Sequence, residues 1–96
     1  MATTPIHQKL ASYRKKIDKL DKSLLSNLSK RMSLVKEMGT FKKTNHISII
    51  QRNREKEIVW SLSNAAKSKG LSKELMQKIF AAIFAEGRRL QKSLKK

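Results

Sequence analysis

The first half of this chain carries one long seam of residues spaced three and four apart. The seam consists of Arg14, Ile17, Asp21, Leu24, Leu28, Arg31, Val35, Met38 and Lys42. This spacing is typical of a helix that faces another helix along its whole length. Proline is absent after Pro5 and the first glycine is Gly39, so no helix-breaking residue interrupts the pattern. The sequence therefore predicts a helix from about Ile6 to about Thr44, ~57 Å long at ~1.5 Å per residue.

Cations occupy three of these seam positions, at Arg14, Arg31 and Lys42. A buried cation without an anionic partner is very costly. The chain has 23 Lys and Arg residues against 7 Asp and Glu residues, a net charge of +16 with neutral histidines. It cannot pair all its own cations, so the seam indicates a bound small polyanion.

Two shorter helices are predicted after the long one. The segment from Asn45 to Ile50 has loop character, and Ser48 with Gln51 has the spacing of a capping box, which predicts that the second helix starts there. Gly70 marks the end of that helix, and Ser72 is a suitable N-cap for a third helix. Strand alternation and internal repeats are absent from the sequence. We predict an all-α fold of three helices in a single domain spanning residues 1–96.

The length of the first helix also predicts an assembly. A compact domain of this size has a radius of gyration of only ~13 Å. A helix of ~57 Å overhangs such a domain, yet its apolar seam continues from end to end. Two short helices cannot cover it, so we predict an intertwined homodimer in which the first helices pack on each other.

Composition excludes several classes of protein. The absence of cysteine excludes disulfides, thiol catalysis and thiolate metal sites, and His7 and His46 have no metal-ligand spacing, so no metal site is expected. No stretch of 18 apolar residues predicts a membrane span, and the N-terminal residues lack the apolar run of a secretory signal. We expect a cytoplasmic protein. Trp60 lies off the apolar stripes, and the sequence offers no role for it.

Five groups of residues carry a family resemblance in order and spacing. Together they resemble the AroQ-type, all-helical chorismate mutases, over roughly residues 8–92. The groups are Tyr13-Arg14-Lys15-Lys16-Ile17-Asp18-Lys19-Leu20-Asp21 with Leu24-Leu25, then Lys30-Arg31-Met32, then Gly39 and Lys42, then Arg54-Glu55, and finally Arg88-Arg89-Leu90-Gln91.

The resemblance implies a reaction without a cofactor. Chorismate mutases convert chorismate to prephenate by an intramolecular Claisen rearrangement, in the biosynthesis of phenylalanine and tyrosine. Such an enzyme holds a dicarboxylate in a compact chair and stabilises the negative charge that grows on the ether oxygen. Some members work fused or docked to other enzymes of the pathway, so a separate partner enzyme is compatible with this chain.

The resemblance also assigns roles to the cations. Arg31 is expected to hold a substrate carboxylate in its own subunit, because the guanidinium group suits carboxylates. Arg14 matches the arginine that reaches the partner's active site, which makes each site shared. Lys42 matches the lysine near the ether oxygen and a carboxylate. Arg54 matches an arginine that supports the carboxylate pocket.

Uncharged and acidic residues complete the expected site. Gln91 matches the second donor to the ether oxygen, and Glu55 matches the carboxylate that accepts the ring hydroxyl. Two positions depart from the common pattern. Gln51 stands where many members have Asp, and Gly87 stands where many have Ser. We expect both changes to weaken substrate binding by one hydrogen bond each, about 0.5–1.5 kcal/mol, without abolishing turnover.

Two alternatives stay open at this stage. Isochorismate–pyruvate lyase uses a similar helical dimer with the same arginines and lysine, but its members usually lack the glutamate matched by Glu55. Nucleic-acid binding is compatible with a charge of +16. It lacks support from any helix-turn-helix or zinc pattern, and aromatic residues are too sparse for base stacking. We therefore expect neither a nucleic acid nor a membrane as partner.

Overall fold

The structure, a computed structural model, describes residues 4–94 as three α-helices joined by short loops. Helix α1 spans Pro5–Thr44, α2 spans Arg52–Lys67 and α3 spans Lys73–Lys92. No strand occurs in the part of the chain that the structure describes. The prediction of an all-α fold with one very long helix is confirmed, and α1 is about 60 Å long at about 1.5 Å per residue.

Helix α1 begins and ends with local hydrogen bonds that its sequence supplies. At the start, the hydroxyl of Thr4 accepts a hydrogen bond from the His7 amide at 3.1 Å, as an N-cap residue does. At the end, the amide of Ile47 donates to the Lys42 carbonyl at 2.8 Å, while His46 adopts a positive φ of 58°. This pairing is a Schellman motif with histidine in the left-handed position that glycine usually fills.

Helix α2 does not begin with the predicted capping box. The hydroxyl of Ser48 bonds instead to the backbone of Ile50, two residues away. Gln51 is the N-cap residue of α2, and its side chain makes no capping hydrogen bond. The reason is that serine readily bonds to a nearby backbone group in a turn, which competes with helix capping. The helix therefore starts at Arg52, later than the predicted start.

The end of α2 and the start of α3 follow their sequence signals. Gly70 has a φ of 72°, and the amide of Leu71 donates to the Ala66 carbonyl at 3.0 Å. These two features form a second Schellman motif, here with glycine in the left-handed position. The Ser72 hydroxyl then accepts a hydrogen bond from the Leu75 amide at 3.1 Å. The predicted end of the second helix at Gly70 and the predicted N-cap of the third helix at Ser72 are both confirmed.

The chain divides into two compact units, Met1–Ser33 and Leu34–Lys96, so α1 contributes residues to both. In the second unit the buried residues are small or polar, and they are Gly39, Lys42, Ser63, Ala66, Gly87 and Gln91. In the first unit eight large apolar side chains of α1 are 40–78% exposed. These exposed residues are Ile6, Leu10, Tyr13, Ile17, Leu20, Leu24, Leu25 and Leu28.

Candidate active site

A glycine on α1 lets the side chain of Gln91 reach the backbone of that helix. Gln91 is only 3% exposed, and its amide nitrogen donates to the Val35 carbonyl at 2.8 Å. A Cβ atom added at Gly39 would lie 2.8 Å from the Gln91 Cγ and 2.8 Å from the Leu94 Cδ1. Because Gly39 has no side chain, Gln91 can lie across α1 and bond to it.

Lys42 is the most deeply buried charged residue of the described chain, with 6% of its surface exposed. It follows Val35 by seven residues and Gly39 by three, so all three share the face of α1 that meets α3. Among residues 4–94, no carboxylate lies within 4 Å of the Lys42 ammonium group. Among the described residues only the Ser63 hydroxyl is a buried side-chain N or O atom without a partner, so the Lys42 ammonium group retains contact with solvent and is available to an incoming anion.

Gly87 extends the same contact between α1 and α3. It is buried, and a Cβ atom added there would lie 3.4 Å from the Val35 Cγ1, which is ordinary van der Waals contact. Gly87 and Gln91 are four residues apart and therefore lie on one face of α3. The structure thus brings two of the predicted site residues, Gly87 and Gln91, to the helix that carries Lys42.

Two arginines hold the carboxylate of Glu55. The Arg88 Nη1 donates to the Glu55 Oε2 at 2.6 Å, and the Arg52 Nη1 lies 3.5 Å from the Oε1. The side chains of Glu55 and Arg88 are only 20% and 22% exposed. Arg52 comes from the same helix as Glu55, whereas Arg88 comes from α3, so the ion pair joins the two helices.

A cavity of about 610 Å³ lies between α2 and α3, and the Glu55–Arg88 pair forms part of its wall. Glu55 is the only acidic residue of this wall, which also carries five cations. The buried Ser63 hydroxyl, another wall group, makes no hydrogen bond within the described residues. The wall consists of Arg52, Glu55, Lys56, Val59, Trp60, Ser63, Asn64, Lys67, Lys73, Gln77, Ala81, Phe84 and Arg88.

Other predicted site residues lie outside these contacts. Gln51 is exposed at the start of α2. Arg54 has a 65% exposed side chain and pairs with Glu57 at 3.3 Å, so Arg52, and not Arg54, contacts Glu55. In the first unit, Arg14 is exposed and Arg31 is half-buried on α1.

Arg52 and Arg88 are the residues that the sequence analysis did not assign to the site. The spacing of three between Arg52 and Glu55 is a signal for a helical ion pair that could have been used. Arg88 lies 33 residues from Glu55, and no local pattern predicts a contact at that separation.

Next to Arg88, Arg89 faces away from this arrangement. It is exposed and forms an ion pair with Glu86 on its own helix. The hydrogen bond from Arg89 lowers the pKa of Glu86, and the same bond raises the pKa of Arg89. The adjacent arginines thus have different partners, one on α2 and one on α3.

A search of the described residues for other kinds of site gives two negative findings. No group of three or more His, Cys, Asp or Glu side chains there could hold a metal ion. No helix within residues 4–94 is long and apolar enough to cross a membrane.

Comparison with known proteins gives consistent matches. The chorismate mutase type II family matches residues 13–92. A chorismate mutase of Methanocaldococcus jannaschii is 33% identical over 85 residues, which cover 88% of this chain and 86% of that protein. A bifunctional chorismate mutase/prephenate dehydratase of Buchnera aphidicola subsp. Schizaphis graminum is 31% identical over 90 residues, 94% of this chain and 23% of that protein.

A third relative is also much longer than this chain. The T-protein of Enterobacter agglomerans is 31% identical over 77 residues, which cover 80% of this chain and 21% of that protein. The chain thus spans most of the Methanocaldococcus relative but only about a quarter or less of the other two.

Proposed function

Because this chain belongs to the chorismate mutase type II family, we propose that it converts chorismate to prephenate in aromatic amino-acid biosynthesis. The observation that carries the proposal is that Lys42, which is 6% exposed and has no carboxylate within 4 Å among the described residues, lies on the helix face that meets Gln91. A largely buried lysine of this kind forms a strong charge-assisted hydrogen bond with an anion that reaches it. A dicarboxylate substrate supplies that anion.

In this proposal the protein acts by orientation and fixed charge. Lys42 stabilises the negative charge that develops on the ether oxygen, and low dielectric around a buried group strengthens that interaction. The Gln91 amide has two hydrogens, of which one bonds to the Val35 carbonyl and the other can donate to the ether oxygen. No group needs to form a covalent bond with the substrate or to take up a proton.

Further residues bind the substrate at its periphery. Glu55 accepts the hydrogen bond of the ring hydroxyl, while Arg14 and Arg31 bind the carboxylates. Gln51 and Arg54 lie near the substrate only if the start of α2 closes over it. Gly87 leaves the carboxylate next to it without a side-chain donor.

We further propose that the active form is an intertwined homodimer of a single domain, in which Arg14 completes the partner's site. The support is the row of eight exposed apolar side chains on α1 between Ile6 and Leu28. Soluble monomers rarely expose so extended an apolar surface, and a second α1 would cover it. The cytoplasmic location stays a prediction from the sequence.

The reaction is tested by product identification. Purified protein is incubated separately with chorismate and with isochorismate, and the products are separated by chromatography. We expect prephenate from chorismate, and Lys42→Ala should lower kcat strongly. Salicylate and pyruvate from isochorismate, with no prephenate from chorismate, would instead identify an isochorismate–pyruvate lyase and overturn the proposal.

The shared site is tested by mixing two inactive variants. In a mixed dimer, the Arg14→Ala and Lys42→Ala defects fall in the same shared site, so the other of its two sites is intact. Random exchange makes half the dimers mixed, and activity should return to roughly a quarter of the wild-type value. As controls, each variant is taken through the same exchange procedure on its own, and neither should regain activity. The shared site would be contradicted if sedimentation showed a folded monomer. It would also be contradicted if activity did not return after subunit exchange had been verified.

A further inference from the structure

The carboxylate of Glu55 is held asymmetrically. Arg88 donates to the Oε2 at 2.6 Å, which is a short, charge-assisted hydrogen bond. The Arg52 Nη1 lies 3.5 Å from the Oε1, which is too long for a strong bond. The Oε1 therefore retains the capacity to accept a hydrogen bond from another donor.

All the other charged side chains that line the cavity around Glu55 are cations. The charged groups that face Glu55 are Arg52 on its own helix and Arg88 on α3, and Lys56, Lys67 and Lys73 line the same cavity. Among these cations only Arg88 makes a short bond to the carboxylate. If the Arg88 bond were absent, the flexible Glu55 side chain could turn towards any of several lysines. The bond from Arg88 therefore sets the orientation of the carboxylate.

Helix α3 links this arginine to the rest of the site. Arg88 follows Gly87 directly and precedes Gln91 by three residues, which is a rise of about 4.5 Å along the helix axis. One helix turn thus carries the donor that holds Glu55 and the amide that bonds to α1 at Val35. This single turn of α3 therefore contacts both α2 and α1.

We propose that Arg88 is a positioning residue, which aims the Glu55 Oε1 at the ring hydroxyl of the substrate by holding the Oε2. This inference rests on the proposed mutase function. Arg88 itself does not contact the reacting atoms in this arrangement. Its contribution is that the acceptor stands ready before the substrate arrives, so no side-chain ordering is needed on binding.

The first test compares three variants at steady state. Arg88→Met removes the charge and the donor but keeps the chain length, and we expect kcat/KM to fall by about 10- to 100-fold. Arg88→Lys keeps the charge without the planar guanidinium group, so it should recover part of the loss. Arg89→Met removes the exposed neighbouring arginine, and its kinetics should match those of the wild type.

A double-mutant cycle separates positioning from a merely structural role. In a Glu55→Gln background, Arg88→Met should add little further loss, since it acts through that carboxylate.

Three outcomes would overturn the proposal. The first is wild-type kinetics in Arg88→Met. The second is a loss of equal size in the Glu55→Gln background that Arg88→Lys does not relieve, which would mean that Arg88 only supports the fold. If Arg88→Met does not fold by circular dichroism, Arg88→Lys decides instead, by its coupling to Glu55→Gln and by its KM. The third is failure of the wild type to form prephenate, which would reject the proposed function itself and this inference with it.

Discussion

Replacing Gly39 with alanine tests whether the contact between α1 and α3 depends on the missing side chain. In a helix interior, Gly→Ala is ordinarily favourable by roughly 0.5–1 kcal/mol, because glycine loses more backbone entropy on folding. At Gly39 the added Cβ would lie 2.8 Å from both the Gln91 Cγ and the Leu94 Cδ1. Overpacking of this kind costs about 1–3 kcal/mol.

The hydrogen bond from Gln91 adds to that cost. If Gln91 moves away from the new methyl group, its bond to the Val35 carbonyl is lost, which costs about 0.5–1.5 kcal/mol. Subtracting the helix-propensity gain from these two costs leaves a net destabilisation of about 2 kcal/mol. Since Gln91 is also a proposed donor to the substrate, kcat should fall in the same variant.

Gly87→Ala is the matched control, because it is the same substitution in a buried helical position. Its Cβ would lie 3.4 Å from the Val35 Cγ1, in ordinary contact, so we expect a stability gain of up to about 1 kcal/mol. Urea unfolding followed by circular dichroism, at one fixed protein concentration, measures both variants. If Gly39→Ala unfolds at the same urea concentration as Gly87→Ala, the close approach at Gly39 does not constrain the fold.

Three further predictions follow from named positions and from the charge. Gly87→Ser should lower KM by up to about tenfold, since it adds a hydroxyl donor worth about 0.5–1.5 kcal/mol; an unchanged KM would place the carboxylate elsewhere. Gly70→Ala should lower the free energy of unfolding by about 1 kcal/mol, because Gly70 has a φ of 72° and no atom within 4 Å of an added Cβ, so only backbone strain acts; equal urea midpoints would contradict this. The net charge of +16 should steer a dianionic substrate, so kcat/KM should fall with added salt while kcat stays constant; a flat profile would exclude limiting encounter.

Local patterns in the sequence were sufficient to predict the helices. The seam from Arg14 to Lys42 and the absence of proline after Pro5 predict one long helix, because side-chain spacing alone defines a helical face. Ser72 and Gly70 predict a helix start and a helix end through bonds to their own neighbours. The predicted capping box at Ser48 is wrong for a related reason, since two local hydrogen-bonding arrangements competed and the sequence does not show which prevails.

The family resemblance located residues of the candidate site, but their contacts depend on tertiary structure. That Gln91 bonds to the Val35 carbonyl across Gly39 requires α3 to lie against α1. That Arg88 holds Glu55 requires α3 to lie against α2. Spacing along one helix fixes only which residues share a face. Packing between helices decides which side chains from distant parts of the chain come within hydrogen-bonding distance, because that distance depends on how closely the backbones approach.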